Sequence, residues 1–363
     1  HKLLSDCPTP PLQSMEQAWN TLATTLAKCL PSAHEFMLEQ QAILQGTTAA
    51  TLPLNRYSNI IPYDHSLVKL STHHYINASH INIKHLKPFI VAQSPTHPDF
   101  HGPDTTDAFW QLVHEQSIAT IVNLAKVEPG FGGASLYFPM EEGESYSTTH
   151  YTCRCLQKEK VEEGLIKRRF RLSVRHEKGQ TPDVKKEKTE EHRALECNHY
   201  HFELWPNYEV ATSLESTKVL LELIQQERTT HANATLVHCS GGVGRSGTFV
   251  SALSAVEQLE KDEGEGVGLF ARLGTIVQSL RDQRHPWMVE GQEQFEFSGR
   301  LVSLVCGQNN VEAGKVVEGN VEGRKVEEGE VEEGEVDGGV KKKTKRKKKK
   351  HRPVKRKKKV DDC

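Results

Sequence analysis

Residues Asn233 to Phe249 read NATLVHCSGGVGRSGTF. An apolar run over 235–237 leads into a glycine-rich loop, and an amphipathic helix is expected from Gly247. Such a loop aims backbone N–H groups and a helix N-terminus at one point, which suits a phosphate. Two chemical readings fit. The segment from Gly242 to Gly247 matches G-x-G-x-x-G, the dinucleotide fingerprint, but that reading wants a βαβ unit with an acid ending its second strand. The sequence after Glu260 looks helical instead, and Cys239 and Arg245 are left without a part. The second reading uses every residue. Cys239 opens the loop, with five residues before Arg245, so its thiol faces loop amides, a helix dipole and a guanidinium, each of which favours thiolate. Arg245 can hold two phosphoryl oxygens in a fork. A thiolate below a bound phosphate is a nucleophile placed for in-line displacement.

Outward from this loop, Met15, Trp19, Leu22 and Leu26 predict a helix within 14–46, with a second helix over 36–45 ending at Gly46. Strands are expected at 67–70, 75–76, 89–92, 120–124, 168–174 and 195–204, and a helix at 109–116. Residues 177–193 are strongly charged and are expected to form an exposed loop. Helices are expected at 213–228, 247–260, 268–282 and 293–306. Strands first and helices later, with one strand–loop–helix unit between, argue a mixed α/β sheet with helices on its faces.

The chain has 363 residues and a net charge of −2. That balance hides segregation: from Gly307 onward there are 18 Lys and Arg against 12 Asp and Glu, which leaves 28 against 36 for residues 1–306. An acidic body argues against nucleic-acid binding by the body itself. No run approaches 18 uncharged apolar residues, so no span is expected within this chain. It begins His1-Lys2 without signal or transit pattern, and is expected to be a piece of something longer. Eight cysteines are sparse and form no CxxC pair, so a reducing, cytoplasmic setting is expected. Cys153 and Cys155 read as ordinary thiols sharing one face of a strand.

Together with VHCSGGVGRSGTF, the chain carries NRYSNIIPYDHS from Asn55, YINAS from Tyr75, FIVAQSP from Phe89, FWQLVHEQ from Phe109, WPN from Trp205 and MVEGQEQFEF from Met288. In this set and order it resembles the tyrosine-specific protein phosphatases over residues 13–306, with 1–12 as an extension and 307–363 as a tail. The resemblance implies a highly twisted central sheet and a phosphocysteine mechanism without metal or cofactor, acting on phosphotyrosine-containing proteins. It implies that Cys239 attacks, that Arg245 binds phosphate and stabilises the transition state, and that Ser240, Gly241, Gly242, Val243 and Gly244 cradle it. Ser246 would hydrogen-bond the thiolate and His238 would brace the loop. Tyr57 would stack on the substrate ring, Glu128 would align Arg245, and Gln294 would position water.

The departures are specific. The family's general acid is an Asp after Trp-Pro, where this chain has Asn207, and an amide cannot give up a proton. The family's first glutamine in the late loop matches Glu290, its Lys-Cys pair matches Gly133-Ala134, and its Asp two residues past the pocket tyrosine is Asn59. Similar erosion is familiar in the membrane-distal domains of tandem receptor-type members.

After Cys306 the chemistry changes. Residues 311–340 repeat Val-Glu-Glu-Gly-like units, and 341–359 hold 15 Lys and Arg and no acid. Neither segment can bury enough apolar surface to offset ordering entropy, so disorder is expected over 307–363. The basic run could hold anionic lipid headgroups or nucleic acid, or be read as a nuclear address. Deleting 341–359 is therefore expected to remove salt-sensitive adhesion to anionic vesicles or RNA. Equal binding by full-length and shortened chains at low salt would refute that.

Overall fold

The computed structural model describes residues 17–21, 23–24, 43–72, 74–97, 102–128, 133–175, 194–261 and 267–307. The charged loop 177–193 and all but the first residue of the tail lie outside them. In chain order the elements are β1 (Ala78–Ile81), β2 (Phe89–Ala92), α1 (Thr106–Glu115), β3 (Thr120–Asn123), β4 (Ser145–Ser147), β5 (Tyr151–Glu162), β6 (Leu165–Val174) and β7 (Leu195–Phe202). Then come α2 (Leu214–Thr230), β8 (Thr235–His238), α3 (Gly244–Lys261), α4 (Leu269–Gln283) and α5 (Gln292–Val305).

The strands form one eight-stranded sheet in the order β1-β2-β8-β3-β7-β6-β5-β4. Its centre is parallel: β8 lies between β2 and β3, with Ala92 and Asn123 both opposite His238, and β3 pairs in parallel with β7. The wings are antiparallel. Side chains alternate across a strand, so β8 feeds two cores. Val237 joins Val91, Val122 and Phe202 under the helices α2–α5, with Leu221, Phe249 and Leu273. Leu236 joins Ile90 and Ile121 on the other face, against Phe109, Trp110 and Phe138. All four residues of β2, β3 and β8 are buried, as expected for strands covered on both faces.

Several expectations shift. Residues 67–70 form no strand; Leu67 makes an isolated bridge to Ser79, and regular pairing starts only at Ala78. Tyr75 and Ile76 lie just before β1, where the Tyr75 hydroxyl is tied to Asn55 Oδ1 at 2.6 Å. The expected helix over 36–45 is described only from residue 43, where a 3-10 turn spans Leu44–Gly46. Residues 17–21 are helical, and Trp19 packs on Phe295 with ring centres 5.7 Å apart. The helix after the loop is not amphipathic over its first turns: every residue from Gly244 to Val256 is buried, because α3 is enclosed by α2, α4, α5 and the sheet. Since α4 rather than a strand follows, no βαβ unit exists for a dinucleotide. Cys153, Cys155 and Cys197 are buried and unpaired, their thiols pushed up in pKa by burial.

One buried ion pair fixes the strands that carry the loop. Arg228, near the end of α2, meets Glu257 of α3 at 2.6 Å with both side chains largely covered. Its guanidinium also donates to the carbonyls of Lys87 and Pro88 and to Thr235, and lies 3.8 Å from the Phe89 ring centre. Removing one member of such a pair strands the other charge. Arg228→Ala is expected to cost about 3–5 kcal/mol, read as a lower urea midpoint with an unchanged slope.

Candidate active site

The loop leaves the C-terminal end of the parallel strands, where α/β sheets place ligands, and is held from outside by its carbonyls. His238 Nδ1 lies 3.1 Å from the Cys239 carbonyl, and Ser94 N–H donates to that of Ser240 at 2.8 Å. The fully buried Arg284 donates to the carbonyls of Gly241 and Gly242 and to Asn77 and Ser79. In a planar trans peptide the C=O and N–H point opposite ways. Four successive carbonyls drawn outward therefore turn the N–H groups of Ser240, Gly241, Gly242 and Val243 inward. Gly242 N–H accordingly donates to Cys239 Sγ at 3.3 Å. Gly242 has a φ of 72°, and a Cβ there would lie 2.2 Å from the Ala92 carbonyl oxygen, so glycine is required.

Cys239 is almost wholly buried. Burial alone would raise its pKa, but the Arg245 charge, the Ser246 hydroxyl and N–H and the Gly242 N–H outweigh it and hold the thiol below its ordinary value. The buried Ser246 hydroxyl makes no conventional hydrogen bond, so the sulfur is the group it serves. Arg284 is drawn down to about 10 by burial while the nearby sulfur helps it keep its charge. His238 sits behind the loop, drawn down to about 3 by burial and hence neutral. Its Nε2 meets the Tyr137 hydroxyl at 2.6 Å, and that hydroxyl meets His199 Nε2 at 3.0 Å. One assignment satisfies the row: His199 donates to Tyr137, Tyr137 to His238, and His238 to the Cys239 carbonyl.

The cleft above Sγ is bounded by Tyr57, Ile60, Asn207, Tyr208, Arg245 and Glu290, and its free space is about 30 Å³. The ring of Tyr57 lies against Gly241, and its hydroxyl meets Ser240 Oγ at 2.8 Å. Arg245 Nη1 donates to the Trp205 carbonyl at 3.1 Å and Nη2 to Asn207 Oδ1 at 2.9 Å. Thus Asn207 holds the Arg245 guanidinium. Because Arg245 Nη2 is engaged by Asn207, binding phosphoryl oxygens through that nitrogen requires this hydrogen bond to be exchanged.

Gln294 lies just behind the cleft. Its Oε1 accepts from Glu290 N–H at 3.0 Å and Thr248 at 3.4 Å, while its Nε2 donates to the Glu209 carbonyl at 3.4 Å. It ties the late loop to the Trp-Pro-Asn segment. The Glu128 carboxylate is 3.4 Å from Lys126 and half exposed. Asn59 is exposed, and its carbonyl faces His285 at 3.1 Å. Gly133 offers its carbonyl to Arg56, which also donates to Ser240 Oγ at 3.0 Å.

Arg56, Arg284 and Tyr208 escaped the sequence reading. Arg56 precedes Tyr57 in a motif already noted, so adjacency could have flagged it. Arg284 lies in an ordinary charged helix end. Tyr208, 72% exposed at a φ of 63°, is an aromatic in a strained turn at the rim of the cleft.

A mixed sheet with Cys239 and Arg245 converging in one amide-lined loop defines a cysteine-dependent phosphatase fold. The sequence pattern of the protein-tyrosine phosphatases matches residues 51–303, and the chain belongs to that family. It is similar to human receptor-type tyrosine-protein phosphatase H, 28% identical over 67% of this chain and 20% of that protein. It is also similar to human receptor-type tyrosine-protein phosphatase eta, 31% identical over 68% of this chain and 17% of that protein. The chain thus spans about a fifth of the length of these relatives. Its fold matches the catalytic domain of human protein tyrosine phosphatase non-receptor type 18, with a TM-score of 0.66, 20% identity, and coverage of 81% of this chain and 97% of that one. Among the described residues no helix is long and apolar enough to cross a membrane.

Thiolate formation gives a direct test of the loop. Because the Cys239 pKa is lowered, alkylation by iodoacetate is expected to stay fast below the usual thiol range. Arg245→Ala should move the midpoint of the pH–rate curve upward by about one to three pH units, and Ser246→Ala should move it less. An unmoved midpoint in Arg245→Ala would contradict this account.

Proposed function

We propose that the domain hydrolyses phosphotyrosine in proteins through a phosphocysteine intermediate, with turnover reduced because the acid position holds Asn207. The observation that supports it most is the lowered pKa of Cys239 in the same amide-lined loop as Arg245. The Cys239 thiolate attacks phosphorus, and the aryl oxygen leaves with the P–O electron pair. Arg245, released from Asn207, and the inward amides hold the three equatorial oxygens as charge spreads over them. Tyr57 and Tyr208 bound the cleft for the substrate ring. Water then displaces the sulfur, and phosphate leaves. A low-pKa thiol keeps its reduced form most readily in a reducing compartment, which supports a cytoplasmic setting.

A second reading treats the domain as a phosphotyrosine-binding or regulatory module. The Asn207–Arg245 hydrogen bond and the carboxylate of Glu290 in the cleft favour it.

Turnover separates the two. Loss of general-acid help costs about 100- to 10,000-fold with a poor leaving group. An activated aryl phosphate is therefore expected to turn over readily and a phosphotyrosine peptide more slowly, by a margin that shrinks if another cleft residue supplies the proton, with Cys239→Ser inactive on both. Asn207→Asp should raise peptide turnover by about 10-fold or more and affect the activated ester less. Calorimetry should show phosphotyrosine peptides binding better than phosphoserine peptides, whose shorter side chain cannot reach the floor past Tyr57. A wild-type domain that binds the peptide but equals Cys239→Ser on both substrates is a binding module.

A further inference from the structure

We propose that Glu290 stands in for the missing acid: resting on the hydrolysis proposed above, its carboxyl protonates the departing phenolate oxygen and then takes a proton from the attacking water. Among the residues that line the cleft, Glu290 carries the only carboxyl. Its Oε2 lies so close to Gly244 that a Cβ there would stand 2.3 Å away. The backbone aims it. Val289 has a φ of 60°, an outlier for a β-branched residue. Arg281 clamps that bend by donating to the carbonyls of Met288 and Val289 at 3.0 and 3.2 Å, and Gln294 takes the Glu290 N–H. Strained backbone held on both sides of one residue fixes where its side chain goes.

The charged and titratable groups around Glu290 are Arg245 and Cys239 from the loop, Tyr57 and Tyr208 at the rim, and Glu293 and Glu296 along an adjoining groove. Burial raises the Glu290 pKa, with Arg245 opposing, so the proton stays on to higher pH than on an ordinary glutamate. A phosphoryl dianion beside it acts in the same direction. The form that admits the substrate is therefore the form that can donate.

In the first step Cys239 Sγ bonds to phosphorus and the P–O(aryl) bond breaks. The leaving oxygen takes the Glu290 proton, giving phenol, phosphocysteine and a carboxylate. In the second step water attacks phosphorus, its proton goes to the Glu290 carboxylate, and the P–S bond breaks to restore the thiolate. The leaving oxygen and the water occupy the same apical position in turn, so one carboxyl serves both. The groove, about 550 Å³, opens Glu290 to solvent water.

The test is kcat/KM, which reports only steps up to phenol release, for the full chain and Glu290→Gln. With a phosphotyrosine peptide Glu290→Gln should lose about 100-fold or more, and with an activated aryl phosphate less than about 10-fold. The wild-type peptide profile should fall as pH rises through the Glu290 pKa, and the variant should lack that limb. Calorimetric binding of the peptide by Glu290→Gln should be at least as tight as wild type, which verifies an intact pocket. Unchanged or faster peptide hydrolysis in Glu290→Gln, or an equal loss on both substrates, overturns the role of Glu290 while leaving hydrolysis standing if Cys239→Ser is inactive. Wild type matching Cys239→Ser on both substrates overturns hydrolysis and the proton role together.

Discussion

A buried thiol drawn below its ordinary pKa is the constraint that the rest of the structure answers. Taking a charge out of water costs several kcal/mol unless fixed dipoles or counter-charges replace the water. Here the replacement is mostly backbone, and backbone must be held. Arg284 has no described acidic partner at hydrogen-bond distance; its hydrogen bonds go to the Gly241 and Gly242 carbonyls, Asn77 and Ser79. Its charge adds to that of Arg245 near Cys239, and its geometry turns the amides inward. The sheet serves the same end, because β8 gains its place from two parallel neighbours whose ends meet at His238.

The family's chemistry normally separates two tasks: one loop carries the acid and another positions water. In this chain the residues at those positions have exchanged character. Asn207, an amide, acts as a hydrogen-bond acceptor for Arg245. Glu290, a carboxyl, occupies the place of an amide, and Gln294 links both segments through Glu290 N–H and the Glu209 carbonyl. Under the proposed mechanism the proton arrives from the Glu290 side of the cleft rather than from the Asn207 side.

The central strands were legible because burial on both faces writes itself as an unbroken apolar run, as in FIVA at Phe89–Ala92. In the wing β6 and β7 were legible at 168–174 and 195–204, but β5 was not: it alternates buried and exposed residues and includes Lys158, Glu159 and Lys160, so its period is diluted by solvated charges. The loop residues from Cys239 to Ser246 were legible because their chemistry is local in sequence. Arg284 was not, since its contacts reach more than forty residues back to the loop and over two hundred back to Asn77 and Ser79. The expected partnership of Glu128 with Arg245 rests on family resemblance, and local sequence offers only its neighbour Lys126, 3.4 Å from the carboxylate.

The strand order carries a consequence for how the domain is made. β8 is the last strand among the described residues yet sits in the middle of the sheet, between strands that precede it by more than a hundred residues. Contacts of such separation form late, after local helices and hairpins. Arg281 and Arg284, which clamp the late loop and the phosphate loop, emerge later still. Until that helix end docks, the Cys239 thiol lacks the Arg284 charge and the pull of Arg284 on the Gly241 and Gly242 carbonyls, so part of its environment is supplied by the last stretch of the domain to be made.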